Sequence, residues 1–340
     1  MVDAITPHNI LVIKLQGVGD VIWATPFLTN LRQGLPAAKI SFLTREFCVP
    51  VLENNPNIDE LITLRTTGAW QQWSFLREIR NRGFDLVIDL IGTPRSALIT
   101  MISGARWRLG YDFGYRRLFY NRVLSAREAN QGHEVDFHLF ALASLGLPVI
   151  TRELYFKLNQ TETAYRKKIW DDLGINAFER VVGLVPTSGS LCRRWPEGSY
   201  AKLARYLAGK TGIKVLVFWG LEQEHEAAKR IAGDAGAIPI PRTSLRQMAA
   251  LLSGCDLVIG NNCGPVHLAS ALKVPVISFH GPTSPVGQGA YGSGNIVVRN
   301  ESLPCLNCNK NDCKNPVCMT GIEPVTVMNL AEQRLRELAS

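Results

Sequence analysis

No apolar run in the 340-residue chain approaches the roughly 18 residues that a membrane-crossing helix needs. The longest, Phe140 to Ile150, has eleven and closes on Leu-Pro-Val-Ile. A positively charged region is missing ahead of the first apolar stretch, which argues against a secretory signal, so a cytoplasmic location is expected. Charged residues are sparse at 19%, against 46% hydrophobic, which excludes global disorder and lets each half of the chain bury a core. Acids are the scarcer sign, 29 against 37 bases, giving a net charge of +8 and a pI near 9.1. That excess suits acidic ligands or an anionic membrane face and is too small to single out nucleic acid. At roughly 150 residues per domain, the length implies two domains.

What is present reads as alternating strands and helices. Asn9 to Leu15 is a short β-branched run suited to a buried parallel strand, and it empties into Gln16-Gly17-Val18-Gly19-Asp20. Val21, Ala24, Phe27, Leu28 and Leu31 follow at helical spacing, and Pro26 makes the helix start near Thr25 or bend there. Strands over 39–43, 60–64 and 85–90 alternate with helices over 49–54 and 70–82. The second half restarts the pattern: a charged helix over 161–173, then Val181 to Pro186 as a strand ending in Thr187-Ser188-Gly189-Ser190. Helices over 200–210, 222–232, 245–253 and 266–272 then alternate with strands over 214–219, 257–260 and 274–280. No short period recurs, which excludes a solenoid. The expected fold class is α/β, two doubly wound domains (1–160 and 161–340) facing across a cleft, with ligands at the carboxyl ends of the strands.

Several strand ends carry chemistry. Gly17 and Gly19 let the backbone come close to a ligand, while Ile22 stands where a dinucleotide fingerprint would have its third glycine. Asp20 reads either as a helix cap or as a carboxylate at the mouth of a cleft, able to take a proton from a substrate hydroxyl. The run Asn261-Asn262-Cys263-Gly264-Pro265-Val266-His267 joins a strand to a helix. Free N–H groups of Gly264, Val266 and His267 there would suit a phosphate or diphosphate; the plain alternative is a polar turn capping a helix. Arg193 and Arg194 follow another strand and could neutralise a diphosphate. Glu222 follows Trp219-Gly220, where it could accept from ribose hydroxyls or merely complement the helix dipole.

Two clusters need their own reading. From Arg95 to Arg127 there are seven arginines, Arg116 and Arg117 among them, against one acid, with aromatics interleaved. This pattern fits a nucleic-acid groove, a phosphorylated acidic glycolipid at a membrane surface, or a solvated face. Cys305, Cys308, Cys313 and Cys318 space as C-x2-C-x4-C-x4-C. In a reducing compartment this suggests packing, redox chemistry or a structural zinc or iron site rather than disulfides.

Taken together and in this order, the segments 13–21, 193–196, 219–222, 261–269, 281–285 and 318–322 resemble the family 9 glycosyltransferases, the ADP-heptose:lipopolysaccharide heptosyltransferases. The resemblance runs over nearly the whole chain. It implies a GT-B fold of two Rossmann-like domains, the first binding the acceptor and the second the nucleotide sugar, with the last helix, 325–338, packing back on the first. It implies inverting transfer of heptose from an ADP-sugar to a phosphorylated lipopolysaccharide-core glycolipid, with Asp20 as general base. Donor contacts fall on Thr187, Ser188, Arg193, Glu222, Asn262, Cys263, Gly264, Val266 and His267. Acceptor contacts are expected around Gly17, Gly19, Arg95, Arg116 and Arg117, with peripheral contact at the inner membrane face and no nucleic-acid partner. No cofactor is expected for catalysis, and the lack of an Asp-x-Asp motif agrees with a metal-independent donor site. Arg193 stands where relatives commonly carry lysine, Asn262 where aspartate is frequent, and Cys263 where serine or threonine is usual. The competing readings are a GT-B transferase or epimerase for another nucleotide sugar, and a non-catalytic nucleic-acid binder using the basic patch.

Overall fold

Burial decides the centre of each sheet. Four of the five residues of Asn9–Ile13 are buried, and this strand, β1, lies between two parallel neighbours. The computed structural model describes residues 6–64, 68–233 and 236–338, so the first five residues, where a secretory signal would begin, lie outside it. The chain divides into two compact units, one up to Phe156 and one from Lys157.

In the first unit β1 is joined by β2 (Lys39–Arg45), β3 (Glu60–Leu64), β4 (Leu86–Asp89), β5 (Trp107–Tyr111) and β6 (Arg122–Leu124). The strands run parallel in the order β3-β2-β1-β4-β5-β6. The second unit repeats the plan with β7 (Arg180–Val185), β8 (Ile213–Val217), β9 (Ile238–Pro239), β10 (Leu257–Asn261), β11 (Val276–Phe279) and β12 (Ile296–Val298). Its order is β12-β11-β10-β7-β8-β9, again parallel, which is the same winding counted from β7. In each sheet the winding reverses between two central strands, β1 and β4 in one and β7 and β10 in the other. Such a reversal opens a crevice at the carboxyl ends.

Pro26 acts as expected. Helix Val18–Trp23 stops at Ala24, and a new helix, Thr25–Gly34, takes the proline in its first turn where no N–H is needed. In the second unit, helix Gln160–Asp172 is fastened to helix Leu245–Leu252 by a buried pair, Glu162 with Arg246. The last helix, Pro324–Glu337, buries Val327, Ala331 and Leu335 at helical spacing and packs on helix Glu197–Ala208 of its own unit. Glu332 fixes that contact, accepting from Tyr206 Oη at 2.6 Å and pairing with Lys210 at 2.7 Å. Among the described residues no helix is long and apolar enough to cross a membrane.

Candidate functional site

The second unit carries a cavity of roughly 840 Å³, lined by residues 188–193, 262–264 and 311–313. It lies where β7 and β10 end side by side. Gly260 permits their close approach, since a Cβ there would sit 2.8 Å from the Val185 carbonyl oxygen. The next residue, Asn261, is fully buried. Its Nδ2 donates to the Pro186 carbonyl at 2.8 Å and its Oδ1 accepts from the Trp195 N–H at 2.8 Å. One amide thus fastens the loop after β7 at both ends.

The polar groups of this cavity are partly open. Arg193 ends a short 3₁₀ turn, and its buried Nε has no acceptor among the described residues. Asn262 donates from Nδ2 to Thr283 Oγ1 at 2.9 Å, while its buried Oδ1 is left without a donor among them. Burial pushes the Cys263 thiol up to about 12, so it stays protonated near neutrality. Helix Gly264–Ala271 begins here with the positive end of its dipole. Its first turn is less open than the sequence suggested: the Val266 and His267 N–H groups both donate to the Cys263 carbonyl, at 3.1 and 3.2 Å. Pro265 has no N–H, which leaves Gly264 as the available donor.

Ser188, Arg193, Asn262, Cys263 and Gly264 are therefore brought together, whereas Thr187, Val266 and His267 do not line the cavity. Nor does Glu222. Its side chain is 72% exposed and comes to 3.9 Å from Arg242. Glu224, two residues on, is the buried carboxylate, accepting from the Gly220 and Leu221 N–H groups at 3.1 and 3.0 Å. Arg194 is also structural, its guanidinium donating twice to the Ser188 carbonyl and pairing with Glu224 at 3.5 Å.

The cysteine segment departs most from expectation. Cys305 and Cys308 are exposed, Cys313 is half-buried, and Cys318 is buried in helix Val317–Thr320 behind Gly281. Among the described residues no three His, Cys, Asp or Glu side chains meet as a metal site, so the expected zinc or iron site finds no support here. The segment instead walls the cavity. Ser190 Oγ donates to the Asn311 carbonyl at 2.6 Å, and the Asn307 and Asn309 N–H groups donate to the Gly281 and Pro282 carbonyls at 3.0 and 2.8 Å. Nothing in the sequence spacing pointed to Asn311 or Asp312; only the fold brings that segment to the end of β7.

In the first unit Asp20 lies at the third position of helix Val18–Trp23, and its Oδ2 accepts from the Gly17 N–H at 3.1 Å. The carboxylate is half-buried at the end of β1. Gly17 has an ordinary extended backbone, φ −78°, so the turn does not call on a glycine's conformational freedom there. The basic patch is largely tied down. Arg116 donates to the Phe113 and Gly92 carbonyls, Arg108 to those of Phe119 and Ala105, and Arg106 stacks over Trp107 at 4.6 Å. Arg95 is half-buried on helix Pro94–Ile102 and Arg117 is exposed. Beside the β1 and β4 ends is a second cavity, roughly 430 Å³, lined by Lys14, Gln16, Arg127, Asn130 and Glu134 with Phe113 and Phe137. Arg95, Arg116 and Arg117 do not line it. Of its lining, Lys14 and Gln16 fall in the segment 13–21 and Phe113 and Arg127 in the arginine- and aromatic-rich stretch 95–127, whereas Asn130 and Glu134 carried no sequence signal.

A sequence model of glycosyltransferase family 9 (heptosyltransferase) matches residues 72–318. The chain is 28% identical to lipopolysaccharide heptosyltransferase 1 of Pseudomonas aeruginosa, covering 96% of this chain and 98% of that protein. It is also 28% identical to the Escherichia coli K12 enzyme of the same name, over 88% and 96%. Among solved structures, a family 9 glycosyl transferase from Veillonella parvula superposes with a TM-score of 0.85 at 26% identity, covering 98% and 99% of the two chains. The E. coli heptosyltransferase WaaC with ADP superposes with a TM-score of 0.74 at 26% identity, covering 96% and 99%.

Proposed function

The chain belongs to glycosyltransferase family 9, the heptosyltransferases, and from that premise we propose that it moves a heptose from ADP-heptose to a sugar of the lipopolysaccharide inner core. The observation that carries the donor half is the cavity at the β7 and β10 ends, where the unpaired Arg193 Nε and the Gly264 N–H stand beside a helix start. A diphosphate supplies the acceptor oxygens such groups lack, and an Arg fork matches its geometry. Relatives that carry ADP or act on lipopolysaccharide are what make ADP-heptose the first donor to test.

In the proposed reaction Asp20 takes the proton from the acceptor hydroxyl as its oxygen attacks the anomeric carbon. The bond from that carbon to the diphosphate oxygen breaks, inverting the centre, and ADP leaves with the electron pair. Arg193 and the start of helix Gly264–Ala271 hold the negative charge that develops on ADP, an electrostatic role. The phosphorylated acceptor would bring the chain to the inner membrane face, in keeping with its +8 charge.

The test is a panel of nucleotide sugars incubated with the purified protein, following ADP release with and without a heptose-deficient core glycolipid. ADP-heptose should give acceptor-dependent release well above ADP-glucose and the UDP-sugars. Release that ignores the acceptor, or that favours a UDP-sugar, would overturn the reading.

A further inference from the structure

The smaller cavity contains an arrangement the transfer scheme above does not use. Lys14 is 1% exposed, yet it is a charged residue at the end of a central strand. Its ammonium donates to the Leu90 carbonyl at 3.3 Å and to His138 Nε2 at 2.8 Å. The other ring nitrogen, His138 Nδ1, lies 3.2 Å from the Trp23 carbonyl, which can only accept. That contact assigns the histidine proton to Nδ1 and leaves the Nε2 lone pair for Lys14. Burial, then Lys14 itself, holds His138 well below its ordinary pKa, in keeping with a neutral ring.

Two of the three ammonium protons are thus taken. The carboxylate nearest the third belongs to Glu134, whose oxygen is 3.9 Å away, too far for a hydrogen bond. Glu134 opens helix Glu134–Ala143, and its side chain is one quarter exposed, toward the cavity it lines. A gap of this width fits one hydroxyl oxygen, about 2.8 Å from each partner, accepting from Lys14 and donating to Glu134. A simple anion does not fit as well, since Glu134 repels it. Phe113 and Phe137, ring centroids 6.4 Å apart, give the same cavity an apolar wall. Apolar faces beside a few fixed polar groups are what a sugar ring requires.

We propose that Lys14 and Glu134, braced by His138, form a hydroxyl-binding subsite that seats a sugar ring between the ends of β1 and β4. As an acceptor subsite it rests on the transfer function proposed above. Glu134 touches the sugar; His138 acts through Lys14 and is a positioning residue.

Free mannose and glucose, with inorganic phosphate as the competing anion, are the probes, read by saturation-transfer NMR on the full chain. Sugar binding should be present in the wild type and weaken about tenfold or more in Glu134→Ala. Glu134→Gln, which keeps a carbonyl oxygen in place, should recover most of it. In transfer assays Glu134→Ala should raise the acceptor KM by a similar factor while leaving donor KM and saturated kcat within about threefold. Glu134 is one quarter exposed in the first turn of its helix, and the melting temperatures of the variants check that they fold. If no ADP-sugar is turned over but sugar binding follows this pattern, the transfer reading falls and the subsite stands. Equal sugar binding in wild type and Glu134→Ala, a glutamine variant as weak as alanine, binding of phosphate alone, or an unchanged acceptor KM would each overturn the proposal.

Discussion

Replacing Asp20 by asparagine separates two roles that coincide in one carboxylate. In the structure Asp20 Oδ2 accepts the Gly17 N–H at 3.1 Å, an internal bond of the helix start. The asparagine side chain would keep an amide oxygen for that bond and lose only the charge near the helix dipole. The stability cost is about 1 kcal/mol at most. For a unit of this size that lowers the melting temperature by roughly 2–4 °C. Loss of a positioned general base costs far more, roughly 10²–10⁴-fold in transfer, or about 3–5.5 kcal/mol of barrier. The assay is initial-rate ADP release at saturating donor and acceptor, beside calorimetric melting and a donor titration. The expected result is a folded variant that binds the nucleotide sugar and has lost at least about 100-fold in kcat. Asp20→Ala should lose the helix bond as well and melt lower. Near-normal transfer by Asp20→Asn would refute the base assignment and leave Asp20 as a helix-terminal carboxylate.

Arg193→Ala should weaken donor binding and leaving-group stabilisation by roughly 2–4 kcal/mol, and Arg193→Lys should restore most of it; unchanged donor KM and kcat in the alanine variant would remove Arg193 from the site. Asn261→Leu should lower donor affinity and cost about 2–4 kcal/mol of stability, because the Pro186 carbonyl and the Trp195 N–H lose their shared partner; a wild-type melt would show that loop to be held otherwise. Stability should also fall on acidification. Burial holds His138 well below its ordinary pKa and His280 at about 4, so both stay neutral in the fold while the unfolded chain takes up protons near 6.5. Their contribution is complete above about pH 6.5 and is lost as pH falls from there toward the folded values, with a slope of up to about 1.4 kcal/mol per pH unit for each histidine. Denaturant unfolding at pH 7.5 and pH 5 checks this, and equal midpoints would contradict it.

The central strands were legible because their residues leave little choice. Ile10 to Ile13 and Leu257 to Ile259 are β-branched or leucine runs bounded by polar loops, and they became β1 and β10. Among the edge strands, β3 (Glu60–Leu64) was legible with its bounds, and β6, β9 and β12 were not. Arg122–Leu124 and Ile238–Pro239 are too short to show a period, and Pro239 reads as a breaker. At the larger cavity, Arg193, Asn262 and Gly264 were legible because strand–loop–helix junctions expose backbone donors. Glu222 and Glu224 could not be told apart, since both lie in the first helical turn. Two residues of helix turn them to opposite sides, and the fold buries the second. Asn261 was read as the first residue of the turn, and its role as the buried end of β10 that bonds both ends of the loop after β7 follows only from the fold. The wall from Asn311 to Cys313 follows from hydrogen bonds to Ser190 and to residues 281–282, a pairing no local pattern records.

The glycolipid product is the most direct test of heptosyl transfer. Heptose-deficient core glycolipid, incubated with ADP-heptose and the wild-type protein and then analysed by mass spectrometry, should gain the mass of one heptosyl residue in proportion to the ADP released. It should show no gain with Asp20→Asn over the same period. ADP release with an acceptor of unchanged mass, or the same gain in the asparagine variant, would contradict it.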